Sequence, residues 1–421
     1  MNALLDELAW RGFLADTTDR PALADHLDAG PIRAYVGFDP TAPSIHMGNL
    51  VQLMLMRHLQ RAGHHPILLV GGSTGLVGDP KGAERAMNPK DLVHAWAERI
   101  HDQVRKFVDF DGPAAAIMAN NYDWTADVGV LDFLRDIGKH FPVNRMLDRQ
   151  LIRDRLESGI SYAEFSYVLL QSFDYLQLFR RYGCTLQSGG SDQWGNITAG
   201  VELIRRAEGA RVHAIATPLL TKADGTKFGK TESGTVWLDP AMTSPYAFHQ
   251  FFVNAEDSMV GAYLRIFSER GHEEIEELDR LTATAPHLRA AQHALADDIT
   301  DLVHSVAERE AAVRAAEALF GRGDLRALDA ATLESVVSEL APGDVASVDG
   351  QGPLVVDALV ASRVVDSKGA ARRAIAEGGA YLNNAKVMSA DARLGPDDLL
   401  AGRWVLLRRG KKTVGAVQFL S

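Results

Sequence analysis

The feature that most constrains this chain is an apolar strand, a helix and a second apolar strand within about 40 residues. Ala34-Tyr35-Val36-Gly37-Phe38 reads as a buried strand, and Ile67-Leu68-Leu69-Val70 as another, ended by Gly71-Gly72. Between them, from about Asn49 to Arg61, Leu50, Leu53, Met54 and Met56 recur at helical spacing. A βαβ unit of this kind favours a parallel sheet covered on both faces. The pattern continues. Ala115–Ala119 reads as a strand, a long helix runs from about Ala163 to Arg181, and Cys184–Gln187 is a strand leading into Gly189-Gly190. A helix from about Gln193 to Arg206 and a strand over Val212–Ala216 follow. Residues 1–232 are therefore expected to form one doubly wound α/β domain.

Beyond it the character changes. Residues 233–325 are rich in Ala, Leu, Glu and Arg and read as α-helical, and 326–352, with its Pro and Gly clusters, reads as a linker. Residues 353–421 start with helical patterns and end in short strands. They hold 11 Lys and Arg against 6 Asp and Glu, a net +5, which leaves −16 for the rest of a chain whose formal charge is −11. That asymmetry marks a separate small module suited to a polyanion, on a body that on average repels one. The single cysteine, Cys184, excludes an intrachain disulfide and fits a reducing cytoplasm. No uncharged apolar run approaches the roughly 18–20 residues of a membrane span, and the N-terminus does not read as a secretory signal.

Four constellations carry chemistry. His46-Met47-Gly48-Asn49 lies at a helix start, where backbone N–H groups and the positive dipole end suit phosphate; His46 and the Thr41 hydroxyl can donate to a phosphoryl oxygen. A His-x-Gly at a helix start is more often explained by capping or packing. Lys222-Ala223-Asp224-Gly225-Thr226-Lys227-Phe228-Gly229-Lys230-Thr231 is a glycine-bearing loop whose Lys227 and Lys230 could close on a polyphosphate, or simply meet solvent. Tyr167, Gln171 and Asp174 fall on one face of the long helix, which also carries Leu170 and Leu178. A phenol, an amide and a carboxylate on a partly apolar face could line a polar pocket or form a buried network. Finally, Gly189-Gly190-Ser191-Asp192-Gln193 sits where a strand ends, the place at which open α/β sheets bind ligands. Asp192 can accept ribose hydroxyls or cap the next helix.

With the Gly71–Asp79 and Asn120-Asn121-Tyr122-Asp123-Trp124 segments, these residues make the chain resemble the bacterial tyrosyl-tRNA synthetases, a class I family, nearly end to end. Ser367–Ile375 followed by Gly378–Asn383 is similar to an S4-like RNA-binding domain. The resemblance implies a Rossmann-like catalytic domain, an α-helical anticodon-side domain and an α+β S4-like domain. It implies activation of L-tyrosine by ATP, with Mg2+ as the counter-ion of ATP and no tightly bound protein metal, and then transfer of the tyrosyl group to tRNA(Tyr). It places Thr41, His46, Asn49, Lys227 and Lys230 at the ATP phosphates, Gly37, Asp39 and Gly48 along the nucleotide, and Gly190 and Asp192 at the ribose. Tyr35 and Asp174 would bracket the substrate phenol, Asp79, Tyr167 and Gln171 its ammonium, and Gln193 its carboxyl group. It also implies a homodimer joined through about 120–165. In the tail, Arg363, Lys368, Arg372, Arg373, Arg408, Arg409, Lys411 and Lys412 become candidates for tRNA phosphates. Two departures from the family pattern stand out: Asn49 occupies the place of a second His, and the loop reads Lys-Phe-Gly-Lys-Thr. A tryptophanyl-tRNA synthetase and a non-catalytic RNA-binding relative are the rival readings; the S4-like tail and the Tyr35/Asp174 pair argue against the first, and the intact phosphate and ribose motifs against the second.

Overall fold

The structure is a computed structural model and describes residues 2–80, 88–231, 234–347, 351–410 and 413–420. The chain divides into two compact units, Met1–Met242 with Glu256–Ala291, and Thr243–Ala255 with Gln292–Ser421.

The first unit is built on a six-stranded sheet of β1 (Asp16–Thr17), β2 (Arg33–Phe38), β3 (His65–Val70), β4 (Ile117–Asn120), β5 (Cys184–Gly190) and β6 (His213–Thr217). The spatial order is β1-β6-β5-β2-β3-β4; every pairing is parallel except β1 with β6. The helix α1 (Met47–Arg61) links β2 to β3, α2 (Lys90–Val104) precedes β4, α3 (Tyr162–Tyr182) precedes β5 and α4 (Trp194–Glu208) links β5 to β6. From the β2/β5 seam the chain winds outward in both directions. Right-handed crossovers therefore put α1 and α4 on opposite faces, and the seam becomes the switch point at which a crevice opens. Strands buried on both faces explain the near-continuous apolar runs: Ile67, Leu68, Leu69 and Val70 are all buried. A further helix, α5 (Val260–Phe267), packs on α1, and Lys230–Thr231 (β7) pairs with Gly234–Thr235 (β8) in a small ribbon.

The second unit contains α6 (Val306–Leu319), α7 (Ala330–Glu339), α8 (Val355–Ala361) and α9 (Lys368–Ala376). Its sheet has the order β11-β10-β12-β13-β9, from β9 (Gly343–Ala346), β10 (Ala380–Leu382), β11 (Ala385–Lys386), β12 (Trp404–Arg409) and β13 (Thr413–Leu420). The stretch expected as a linker over 326–352 instead carries α7 and β9. The short β9 pairs parallel with β13, Gly343 opposite Val417 and Ala346 opposite Leu420. The helices of 233–325 are shared between the two units: Pro245–Val253 belongs to the second, and α5 and His272–Thr284 to the first. In the second unit Leu319, Leu333, Val336 and Val337 share one apolar core with Leu400, Trp404 and Leu406, so α6 and α7 are packed into the C-terminal module rather than strung before it.

Candidate active site

A cavity of about 530 Å³ opens at the carboxyl ends of β2 and β5, within the first unit. It gathers residues from both strands, from the start of α1, from the mid-face of α3 and from the 217–237 segment.

Its closed end is built around Asp174. The helix α3 that carries this residue begins with Ser161 and Glu164 in a reciprocal capping box and stops at Gly183, whose φ of +64 is the left-handed turn that favours glycine. Tyr167, Gln171 and Asp174 face the cavity together, as their spacing predicts. Asp174 is 3% exposed. One carboxylate oxygen accepts from Trp124 Nε1 and the other from Asn121 Nδ2, each at 2.9 Å. Burial pushes its pKa up to about 7 against the pull of those two hydrogen bonds. The hydroxyl of Tyr35 is buried across from it with no hydrogen-bond partner, as are Oε1 of Gln171 and Oε1 of Gln187. Burial, then the Asp174 charge, hold the Tyr35 phenol protonated well above its ordinary range. In the sequence Asn121 and Trp124 stand out only as part of the Asn120–Trp124 segment; their role as the pair that fixes Asp174 is a product of the assembled sheet. The Asn120–Trp124 run at the exit of β4 was the available signal.

The middle of the cavity is a relay of carboxylates. The Tyr167 hydroxyl donates to Asp39 Oδ2 at 2.6 Å, and Thr74 donates to Asp39 Oδ1 at 2.6 Å. A tyrosine whose proton is committed this way offers its oxygen lone pairs to a cation. Asp79 accepts from Gln193 Nε2 at 2.7 Å and from Asn196 Nδ2 at 3.0 Å; Asn196 also donates to Gln193 and accepts from Arg149. Burial raises the Asp79 pKa. Gln193 is thus tied to Asp79, and Thr74 and Asn196 are supporting residues that the sequence reading did not name. Gly71 lies so close to Asp39 that a Cβ there would fall 2.1 Å from Oδ1, which explains glycine at that position.

The open end is formed by Thr41, His46, Gly48, Asn49, Asp192 and Lys227, together with Gly37 and Gly190. His46 is the N-cap of α1. Its Nδ1 accepts from Gly48 N–H at 3.1 Å, and the Asn49 side-chain oxygen accepts from His46 N–H at 3.1 Å. Asn49 therefore closes a capping box at this helix start. With Nδ1 accepting, the neutral imidazole carries its proton on Nε2. A Cβ on Gly37 would meet nothing within 4 Å, so the glycine keeps the floor of the cleft open. Asp192 makes no capping hydrogen bond: the short helical turn Ser191–Gln193 and α4 both lack a side-chain cap, which removes the capping explanation. Lys227 lines the cavity from the loop; the Lys230 backbone lies in β7, and its side chain is outside what the structure describes.

In the second unit, Arg372 and Arg373 are exposed on α9, and Arg363 and Arg409 are exposed as well. Lys368 is paired with Asp357 at 2.7 Å, and Arg408 is half-buried over the Tyr381 ring at 4.1 Å. Lys411 and Lys412 lie outside the described residues.

Comparison with known proteins agrees with this geometry. The model of the tRNA synthetases class I (W and Y) matches residues 27–321, and that of the tyrosine--tRNA ligase SYY-like C-terminal domain matches 339–416. A tyrosine--tRNA ligase of Cutibacterium acnes is 63% identical over 99% of this chain and 100% of its own length. One from Streptomyces avermitilis is 55% identical over 99% of both chains. Among solved structures, a C-terminally truncated Aspergillus nidulans mitochondrial tyrosyl-tRNA synthetase superposes with a TM-score of 0.68 at 30% identity, covering 74% of this chain and 92% of that one. On these matches the chain belongs to the tyrosine–tRNA ligase family of the class I tRNA synthetases.

Proposed function

We propose that this protein is a tyrosine–tRNA ligase that activates L-tyrosine with ATP to tyrosyl-adenylate and pyrophosphate, then transfers the tyrosyl group to the 3′ end of tRNA(Tyr). The observation that carries the reading is the closed end of the cavity. A buried carboxylate fixed by two donors faces a buried phenol with no partner, a pair that a substrate hydroxyl would satisfy. The Asp79, Tyr167 and Gln171 group then receives the ammonium, and the amino acid carboxylate points toward the open end.

There the substrate carboxylate oxygen attacks the α-phosphorus and the bond to pyrophosphate breaks. No protein side chain forms a covalent bond. Position and charge stabilisation do the work: the start of α1, His46 Nε2–H, the Thr41 hydroxyl, the Asn49 amide, Lys227 and Lys230 are the donors toward phosphate oxygens. Gly37 admits the nucleotide, and Gly190 and Asp192 hold the ribose. Apart from Asp192 at the rim, these groups donate rather than coordinate, so Mg2+ fits as a counter-ion carried by ATP. In the transfer step the terminal ribose hydroxyl attacks the tyrosyl carbonyl and AMP leaves.

Specificity follows from the same end. Phenylalanine would leave Asp174 and Tyr35 unpaired, and discrimination of ~10⁴–10⁵ is the scale already known for tyrosyl-tRNA synthetases rather than one derived from this cavity. The exposed arginines of the C-terminal module are the proposed contacts to tRNA phosphates. A homodimer through 120–165 is supported by Val130, Leu131, Val143 and Tyr162, apolar side chains that are 60–81% exposed within that one segment. A cytoplasmic location is supported by the single buried Cys184, and no helix among the described residues is long and apolar enough to cross a membrane.

ATP–pyrophosphate exchange with tyrosine, with tryptophan and with no amino acid tests the reading. Exchange only with tyrosine is expected; exchange with tryptophan, or none at all, would refute it.

A further inference from the structure

The lysine-bearing segment is a small hairpin zipped by its own bonds. Phe228 N–H donates to Leu220 O at 2.9 Å, Lys222 N–H to Thr226 O at 2.8 Å, and Gly225 N–H to Lys222 O at 3.0 Å. Thr221 and Lys227 form an antiparallel bridge. Asp224 accepts from the Thr226 amide at 2.9 Å and from its hydroxyl at 2.6 Å, and Gly225, at φ +81, makes the turn. Such a piece moves as a body, so whatever pins it at one place also places Lys227.

The pin is on α5. The Tyr263 hydroxyl donates to the Thr221 carbonyl at 2.9 Å, and its ring lies against Phe228 with centroids 4.0 Å apart. Phe267, one turn on, has its ring near the same Phe228, with centroids 6.5 Å apart. Both stems of the hairpin thus meet one side chain. Tyr263 is buried, and burial raises its pKa to about 12, so it stays a neutral donor. The helix that bears it is itself held: Arg11 donates to the carbonyls of Arg265, Ser268 and Arg270 at 2.9–3.0 Å, satisfying the end of α5. Beyond the pin, Gly229 at φ +84 passes so close to α1 that a Cβ would sit 2.8 Å from Met47 Cβ, next to His46.

We propose that Tyr263 is a positioning residue for adenylate formation: by holding Thr221 and Phe228 together it fixes the hairpin so that Lys227 stands at the phosphate end of the cavity. It touches neither substrate, and it acts through the hairpin. The inference rests on the ligase reading given above, and it deepens that reading by assigning part of the transition-state stabilisation to a residue outside the cavity.

The test uses the full-length protein and two conservative variants, Tyr263→Phe, which keeps the ring and loses the hydroxyl, and Phe228→Leu, which keeps an apolar contact and loses the ring pair. One net hydrogen bond corresponds to a fall of about five-fold in the exchange kcat for Tyr263→Phe, and the ring pair to about three- to ten-fold for Phe228→Leu. Tyrosine affinity without ATP should not change, because the Asp174 end is made by other elements. Trypsin cleavage after Lys222 or Lys227 should speed up in both variants. An unchanged kcat with unchanged cleavage in Tyr263→Phe would overturn the proposal. So would a loss of tyrosine affinity equal to the loss of kcat, the mark of a merely structural role. If the unaltered protein showed no tyrosine-dependent exchange, the ligase reading would fall. The cleavage comparison would still decide whether Tyr263 pins the hairpin.

Discussion

The two ends of the cavity solve different problems with different materials. The phenol end is buried and over-determined: Asp174 has a donor on each oxygen, and the groups left without partners belong to Tyr35, Gln171 and Gln187. The phosphate end is open and supported by local devices, a helix start that caps itself through His46 and Asn49 and a hairpin pinned from α5. Burial makes a missing hydrogen bond costly, so the closed end can reject a wrong amino acid. Donors aimed at phosphate oxygens are worth most when charge builds there, so the open end can accelerate the reaction. On the proposed reading selection and rate are separable, and substitutions should separate them.

The largest effect belongs to the closed end. Asp174→Ala should lower kcat/KM for tyrosine by at least about 30–150-fold, matching roughly 2–3 kcal/mol for a charged hydrogen-bond partner, with the fold intact by circular dichroism. An unaltered kcat/KM would remove Asp174 from the tyrosine site. Next comes the open end. His46→Ala should lower the rate of adenylate formation by about ten-fold or more while tyrosine affinity stays constant. Asn49→Ala should cost less, because it loses a neutral donor and a helix cap worth about 1 kcal/mol. Single-turnover adenylate formation orders the two, and a worse Asn49→Ala would reverse the ranking of the phosphate donors.

The closed end should also show a pH response of its own. The carboxylate of Asp174 must be ionised to accept the substrate hydroxyl, and burial places its pKa at about 7. Tyrosine affinity should therefore fall as pH drops through about 7. The stability of the empty protein carries the opposite sign. A carboxyl whose folded pKa exceeds its ordinary 3.8 contributes stability at low pH that is lost as pH rises toward 7. Trp124→Phe removes a donor that favours the ionised form, so the acid limb should move to higher pH. Tyrosine titrations from pH 5.5 to 8.5 check this, and an unmoved limb would detach Trp124 from Asp174.

Smallest is the effect of single charges in the C-terminal module. Arg372→Ala or Arg373→Ala should weaken tRNA binding modestly and reduce the salt slope of log affinity by about 1, without touching exchange. Point changes are the better probe. Truncation near residue 351 would strip Leu400, Trp404 and Leu406 from Leu319, Leu333, Val336 and Val337 and expose that core.

What was legible from sequence divides along the same line as the chemistry. Local periodicity gave α3 nearly to the residue and put Tyr167, Gln171 and Asp174 on one face, and glycine after apolar runs marked the ends of β3 and β5. Those signals are short-range and physical. The partners of Asp174 are not short-range: Asn121 and Trp124 reach it from the exit of β4, about 50 positions away, and only the assembled sheet brings them together. The same holds for β9. Four residues with glycine and aspartate read as linker until strand β13 offers an edge to pair with. Tyr263 had no signal of its own, since one tyrosine in an apolar helix looks like core until its hydroxyl is seen on Thr221.

The central claim, that Asp174 and Tyr35 select tyrosine while the open end sets the rate, is tested most directly by one ratio. It is kcat/KM for tyrosine over kcat/KM for phenylalanine in pyrophosphate exchange, measured for the unaltered protein, Asp174→Ala and His46→Ala. The ratio should collapse by about 100-fold or more in Asp174→Ala and stay within about three-fold of the original in His46→Ala. A ratio that survives in Asp174→Ala, or falls equally in both variants, would contradict it.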